Sequence, residues 1–163
     1  MDSLPPIVSF RFHQHHRMAN NRDAAQVIGQ YPGVFSAAVL RNPVISVGDV
    51  ASVSDIGDWA YSEFGQPYTP GAHITPELYA KLYAASPIAH VDKVRTPVLL
   101  LIGEDDLRVP PSQGKGFYHA LKGRGNVPVE MLVFPKESHP LEGVEASRVS
   151  VEAMVDWFGK FVQ

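Results

Sequence analysis

The chain reads as an α/β protein with a mostly parallel sheet flanked by helices, and three observations predict this. Residues 98–102, VLLLI, are five apolar residues in a row without alternation, which suits a strand buried on both faces of a parallel sheet. Residues 129–135 repeat the pattern more weakly, and amphipathic stretches fall between and after these two strands. Each strand also runs into a polar loop, Glu104, Asp105 and Asp106 after the first and His139 after the second. Open α/β sheets place their chemistry at that carboxyl edge.

Taken in order, residues 1–18 form an atypical N-terminal segment with no clear period, two prolines and the cluster His13, His15, His16, Arg17. A helix is expected over residues 20–30, capped by Asn20 or Asn21 and ending near Gly29. Tyr31, Pro32 and Gly33 make a turn, and SAAVL at 36–40 is a strand that stops before Asn42 and Pro43. Residues 47–76 read as long and irregular, with a short helix within 53–64. Structureless stretches of that length are usually functional or covering segments in a compact domain. Thr75, Pro76 and Glu77 start a helix with proline at its first position. Pro110 and Pro111 open another, which presents Phe117, Ala120 and Leu121 on one face and ends at Gly123 and Gly125. The last helix spans 146–162, where Val151, Met154, Val155, Phe158 and Val162 recur at helical spacing as one apolar stripe, with Phe161 at its margin. Strands alternating with helices imply right-handed crossovers within one sheet.

Composition narrows the function. With 163 residues, 45% hydrophobic and 19% charged, the chain is about one globular domain with a sizeable core. A net charge of −3 and scattered Lys and Arg argue against a nucleic-acid partner. The absence of cysteine excludes disulfides, thiolate metal sites and a cysteine nucleophile. No stretch approaches the roughly 20 apolar residues of a membrane span, so no membrane partner is expected and the expected location is cytoplasmic. His13, His15 and His16 lack carboxylate partners at ligand spacing, so no metal site is expected, nor any cofactor.

The acidic loop and the histidine beyond the next strand are two parts of an acid, base and nucleophile constellation, in which geometry counts for more than chain order. In that arrangement Asp106 takes the Nδ1 hydrogen bond of His139 and holds the imidazole in its productive tautomer. The pattern by itself also fits an acidic helix cap and an exposed loop histidine. Arg108 fits either an ion pair with Asp105 or Asp106, or a contact to a substrate carbonyl or carboxylate. Trp59, Tyr61, Phe64 and Tyr68 read as core or loop packing.

From about residue 27 to the C-terminus the chain resembles the prolyl oligopeptidase family of serine peptidases, and within it the acylaminoacyl-releasing enzymes. The matching segments are IGQYP at 28–32, RNPV at 41–44, DIGDW at 55–59, SPIAHVDKVRTPVLLLIG at 86–103, DLRVP at 106–110, QG at 113–114 and VFPKESHPL at 133–141. The resemblance implies that residues 19–163 are the C-terminal half of an α/β-hydrolase domain. It further implies Asp106 as the triad acid, His139 as the base, Arg108 as a substrate-carbonyl clamp, and an N-acylated peptide as substrate. The family's G-x-S-x-G elbow does not occur in the sequence. By spacing back from IGQYP its serine would fall near Met18, where the chain reads HHRMANN, and Ser3 and Ser9 stand in no such context. A fragment, a truncated product and a mis-started gene model each account for this. Two function classes follow: a serine hydrolase domain that is inactive alone, and a non-catalytic, partner-binding remnant of the same fold. Either way, strand 98–102 is expected to have a poorly covered side, and the chain to self-associate or to bind a chain supplying the missing half domain.

Overall fold

The computed structural model describes residues 21–162, so the 1–18 segment with His13, His15 and His16 lies outside the described residues. Three strands form the sheet, β1 (Ala38–Arg41), β2 (Val98–Gly103) and β3 (Val129–Phe134), in the order β1-β2-β3. Both pairings are parallel, with Ala38 opposite Val98 and Val98 opposite Val129. Every residue of β2 is buried, which is why its sequence does not alternate. Val98, Leu100 and Ile102 point into one core and Leu99 and Leu101 into the other.

The first core is closed by α1 (Asn21–Gln30), a 3₁₀ helix (Pro87–Lys93) and α5 (Ser112–Arg124), through Ala24, Ala25, Ile28, Phe117 and Leu121. Gly125, not Gly123, ends α5. Its φ of 64° lets the chain leave the helix in the left-handed conformation that closes a C-terminus. The second core is closed by α6 (Val144–Phe161). Here the expected stripe is corrected: Val151 and Val155 are exposed, whereas Ala146, Ser150 and Trp157 are buried, with Met154, Phe158, Phe161 and Val162 packed beside them.

The expectation of an uncovered β2 is likewise overturned. The chain itself supplies strands on both edges of β2 and helices on both faces, and the residues 98–102 are at most 2% exposed. Among the described residues β1 and β3, at the two ends of the sheet, each have a strand partner on one side only.

The 47–76 stretch is more regular than its composition suggests. It forms α2 (Val47–Ala51) and α3 (Asp58–Glu63), followed by α4 (Pro76–Ala84), whose N-cap Thr75 hydroxyl accepts the Leu78 N–H at 3.3 Å. These helices enclose a smaller core of Val44, Val47, Val50, Ala60, Leu82 and Val109, with Trp59 and Phe64 against it. Since Val44 follows β1 and Val109 follows β2, this core sits over the carboxyl edge of the sheet. No helix among the described residues is long and apolar enough to cross a membrane.

Candidate active site

The register of the sheet sets Gly103 opposite Phe134, so the loops after β2 and β3 leave the same edge side by side. They are laced together at once: Glu104 N–H donates to Phe134 O at 3.0 Å and Asp105 N–H to Glu137 O at 2.9 Å. Glu104 and Asp105 are spent on this backbone lacing and their side chains are exposed. Asp106, the next residue, turns inward and its side chain is wholly buried. Its Oδ1 accepts the N–H groups of Arg108 and Val109, both at 2.9 Å, and its Oδ2 lies 2.8 Å from His139 Nδ1. A buried carboxylate is tolerated only when its oxygens are so partnered. Because a carboxylate can only accept, this contact places a proton on Nδ1 and leaves Nε2 as the proton acceptor of the ring. The His139 side chain remains 32% exposed.

Arg108 does not pair with Asp105 or Asp106 through its guanidinium. Its Nη2 lies 3.4 Å from Asp55 Oδ2. Asp55 N–H in turn donates to Leu107 O at 3.1 Å, so the DIGDW and DLRVP segments dock on each other. Both side chains of this pair are more than two-fifths exposed. A cleft of about 510 Å³ runs along the acid loop past Val53, Leu107, Pro110 and Pro111. A second, more polar one of about 410 Å³ is walled by Asp55, Asp58, Tyr61, Tyr68 and His73. Tyr61 and Tyr68 therefore combine packing, with ring centroids 5.3 Å apart, and cleft lining. Among the described residues no group of three His, Asp or Glu side chains is arranged to hold a metal ion.

Three residues at the site were not singled out as functional by the sequence. Arg41 Nη2 donates to Pro140 O at 2.8 Å and Leu141 O at 3.3 Å, and Asn42 Nδ2 donates to His139 O at 2.9 Å. Gln113, buried in α5, accepts the N–H groups of Ile45 and Ser46 at 3.0 and 2.7 Å and so fixes the exit from β1. The only signal for them was their place in RNPV and QG.

Parallel strands under helices on both faces, with the polar loops gathered at the carboxyl edge, define the class as the α/β-hydrolase fold. More narrowly, the model of the prolyl oligopeptidase family matches residues 24–163, and the chain belongs to that family of serine peptidases. It is 42% identical over 134 residues to the acylamino-acid-releasing enzyme of Rattus norvegicus, and 43% identical over 138 residues to that of Mus musculus. Each match covers 82% of this chain and 18% of the relative, so the chain spans less than a fifth of the length of these curated relatives. Among solved structures, the uncomplexed acylaminoacyl peptidase of Pyrococcus horikoshii superposes with a TM-score of 0.72 at 25% identity, over 87% of this chain and 22% of that one.

Proposed function

We propose that this chain carries the acid–base part of an acylaminoacyl-peptidase active site, with Asp106 as the acid, His139 as the general base and Arg108 as the clamp on a substrate carbonyl. The observation that carries the reading is the 2.8 Å contact between a buried carboxylate and a histidine on adjoining strand ends, in a chain of this family. In such a site Nε2 takes the proton of a serine hydroxyl as that oxygen attacks the acyl carbonyl. The same nitrogen returns the proton to the departing amine, while Asp106 stabilises the transient imidazolium. The substrate class is an N-acylated peptide, from which an acylated amino acid is released. The nucleophile and one of the oxyanion donors belong to a G-x-S-x-G elbow, which this sequence does not contain, so a polypeptide of these 163 residues has no acyl-transfer turnover of its own.

The test has two arms. A fluorophosphonate probe and an acetylated amino-acid anilide, given to the purified chain, are expected to yield neither label nor product. In a chimera, residues 24–163 replace the matching stretch of the rat acylamino-acid-releasing enzyme, and release of acetylated amino acids is expected. There Asp106→Asn and His139→Ala should each lower kcat by on the order of 10⁴. An active chimera indifferent to both substitutions would overturn the assignment, as would robust labelling of the chain alone.

A further inference from the structure

Asn42 is 3% exposed and sits one residue beyond the end of β1, with φ at 42°. Its backbone N–H extends the β1–β2 ladder by donating to Leu101 O at 2.9 Å. Its side-chain amide then does two things at once. Oδ1 accepts the Gly103 N–H at 2.8 Å, at the end of the strand that leads to Asp106, and Nδ2 donates to His139 O at 2.9 Å and Ser138 O at 3.4 Å. A single planar group thus spans the two limbs of the Asp106–His139 contact. Only an amide supplies both an acceptor and two donors in one plane; a carboxylate has no donor and an aliphatic chain has neither.

Two further observations concern the same few atoms. A Cβ on Gly103 would lie 2.6 Å from Glu137 O and 2.7 Å from Ser138 O, so the histidine loop lies flat against the strand end with no slack. The non-glycine residues with positive φ among the described residues are Asn42, Lys136 and Leu141, one carrying the bridging amide and two bracketing His139. Such conformations cost energy and persist where surrounding contacts over-determine them. Asn42 also precedes Pro43, a position that local sterics drive toward extended backbone, so its left-handed conformation is held by its partners rather than by local preference.

We infer that Asn42 is a positioning residue: it sets the height and orientation of His139 against Asp106, so that β1 governs the acid–base pair without contributing a group to it. The inference rests on the reading of Asp106 and His139 given above. It is tested in the 163-residue chain labelled with ¹⁵N-histidine, where the ring nitrogen shifts report the tautomer of His139. The wild-type chain should show the Nδ1–H form. Asn42→Gly keeps the backbone conformation and deletes the amide; Asn42→Asp keeps the acceptor for Gly103 N–H and deletes the donors. Both should replace the single Nδ1–H signature by mixed tautomers or several His139 environments. Ile28→Val, in the first core away from this loop, lowers the melting temperature and should leave the signature intact. Asp106→Asn is the reference for the pair itself. If it does not disturb the His139 signature, the acid–base reading fails and the inference with it. If Asp106→Asn disturbs the signature while Asn42→Gly does not, the pair stands and the positioning role is wrong. Equal disturbance by Ile28→Val would reduce Asn42 to general stability and also overturn the inference. In the chimera described above, Asn42→Gly should lower kcat by roughly 10²-fold with KM little changed; a loss confined to KM would contradict it.

Discussion

Gly103 shows how little room the acid–base contact leaves. Its missing side chain is what lets the histidine loop close on the end of β2, and both atoms that a Cβ would meet first are backbone carbonyl oxygens, which cannot swing aside as a side chain can. Gly103→Ala is therefore expected to cost about 1–3 kcal/mol, the range for forced overpacking, and to separate His139 from Asp106. Thermal unfolding gives the first quantity and the histidine ¹⁵N shifts the second; an unchanged tautomer would show that the loop has slack after all. At this scale the sequence was legible where a residue's role follows from its place at a strand end. Asp106 was separable from Glu104 and Asp105 by the D-x-R-V-P segment, and it is Asp106 that meets His139. Asn42 and Gln113 were not legible, because their partners lie far along the chain and an Asn before Pro reads simply as the end of a strand.

Among the elements, β2 and α6 mark the two extremes of legibility. An uninterrupted apolar run has only one explanation in a sheet, burial on both faces, and β2 has it. The last helix carries two apolar stripes, and spacing alone does not say which faces inward. Val144, Val151 and Val155 lie on the outer one and are 89%, 55% and 66% exposed. The inner one wins because it holds the larger rings, Trp157 against Phe161 with centroids 4.8 Å apart, and burying aromatic area outweighs burying valines. Ser150 is carried into the core by that choice, and among the described residues its hydroxyl finds no hydrogen-bond partner. Ser150→Ala should accordingly raise stability, by up to about 1 kcal/mol, since it removes an unpaired buried hydroxyl and adds a better helix former. A lower denaturation midpoint for Ser150→Ala would show that the hydroxyl is satisfied in solution.

The outer face of α6 carries the group Glu145, Arg148 and Glu152, with Arg148 bonded to both carboxylates. Hydrogen bonding to Arg148 holds the Glu145 carboxyl below its ordinary range, and the two glutamates hold the Arg148 guanidinium above its own. A carboxyl lowered in the folded state adds stability above its unfolded pKa and loses it as the pH falls through the folded one. Glu145→Gln should therefore lower the melting temperature slightly near neutral pH, and the difference should vanish under acid conditions and shrink in high salt, as for any exposed pair. A difference that persists once the carboxyls are protonated would have another origin.

For the molecule as a whole, the open question of packing moves from the centre of the sheet to its margin. β2 is fully paired, while among the described residues β1 and β3 each have a strand on one side only, and of these two edge strands it is β1 whose Ala38 and Leu40 are wholly buried. An edge of this kind offers its outward N–H and C=O groups to any strand that can align with it. Two occupants fit the same chemistry, a second copy of this chain and a polypeptide bearing the preceding strands of a hydrolase domain. We propose that the isolated chain fills the edge with its own copies. Sedimentation at several concentrations should then show reversible association and a melting temperature that rises with concentration, as binding to the folded state requires. Adding a polypeptide that comprises the elbow and preceding strands of the rat relative should dissolve these assemblies into a one-to-one complex. A monodisperse monomer with a sharp, concentration-independent transition would show that the edge of β1 is already satisfied within the chain.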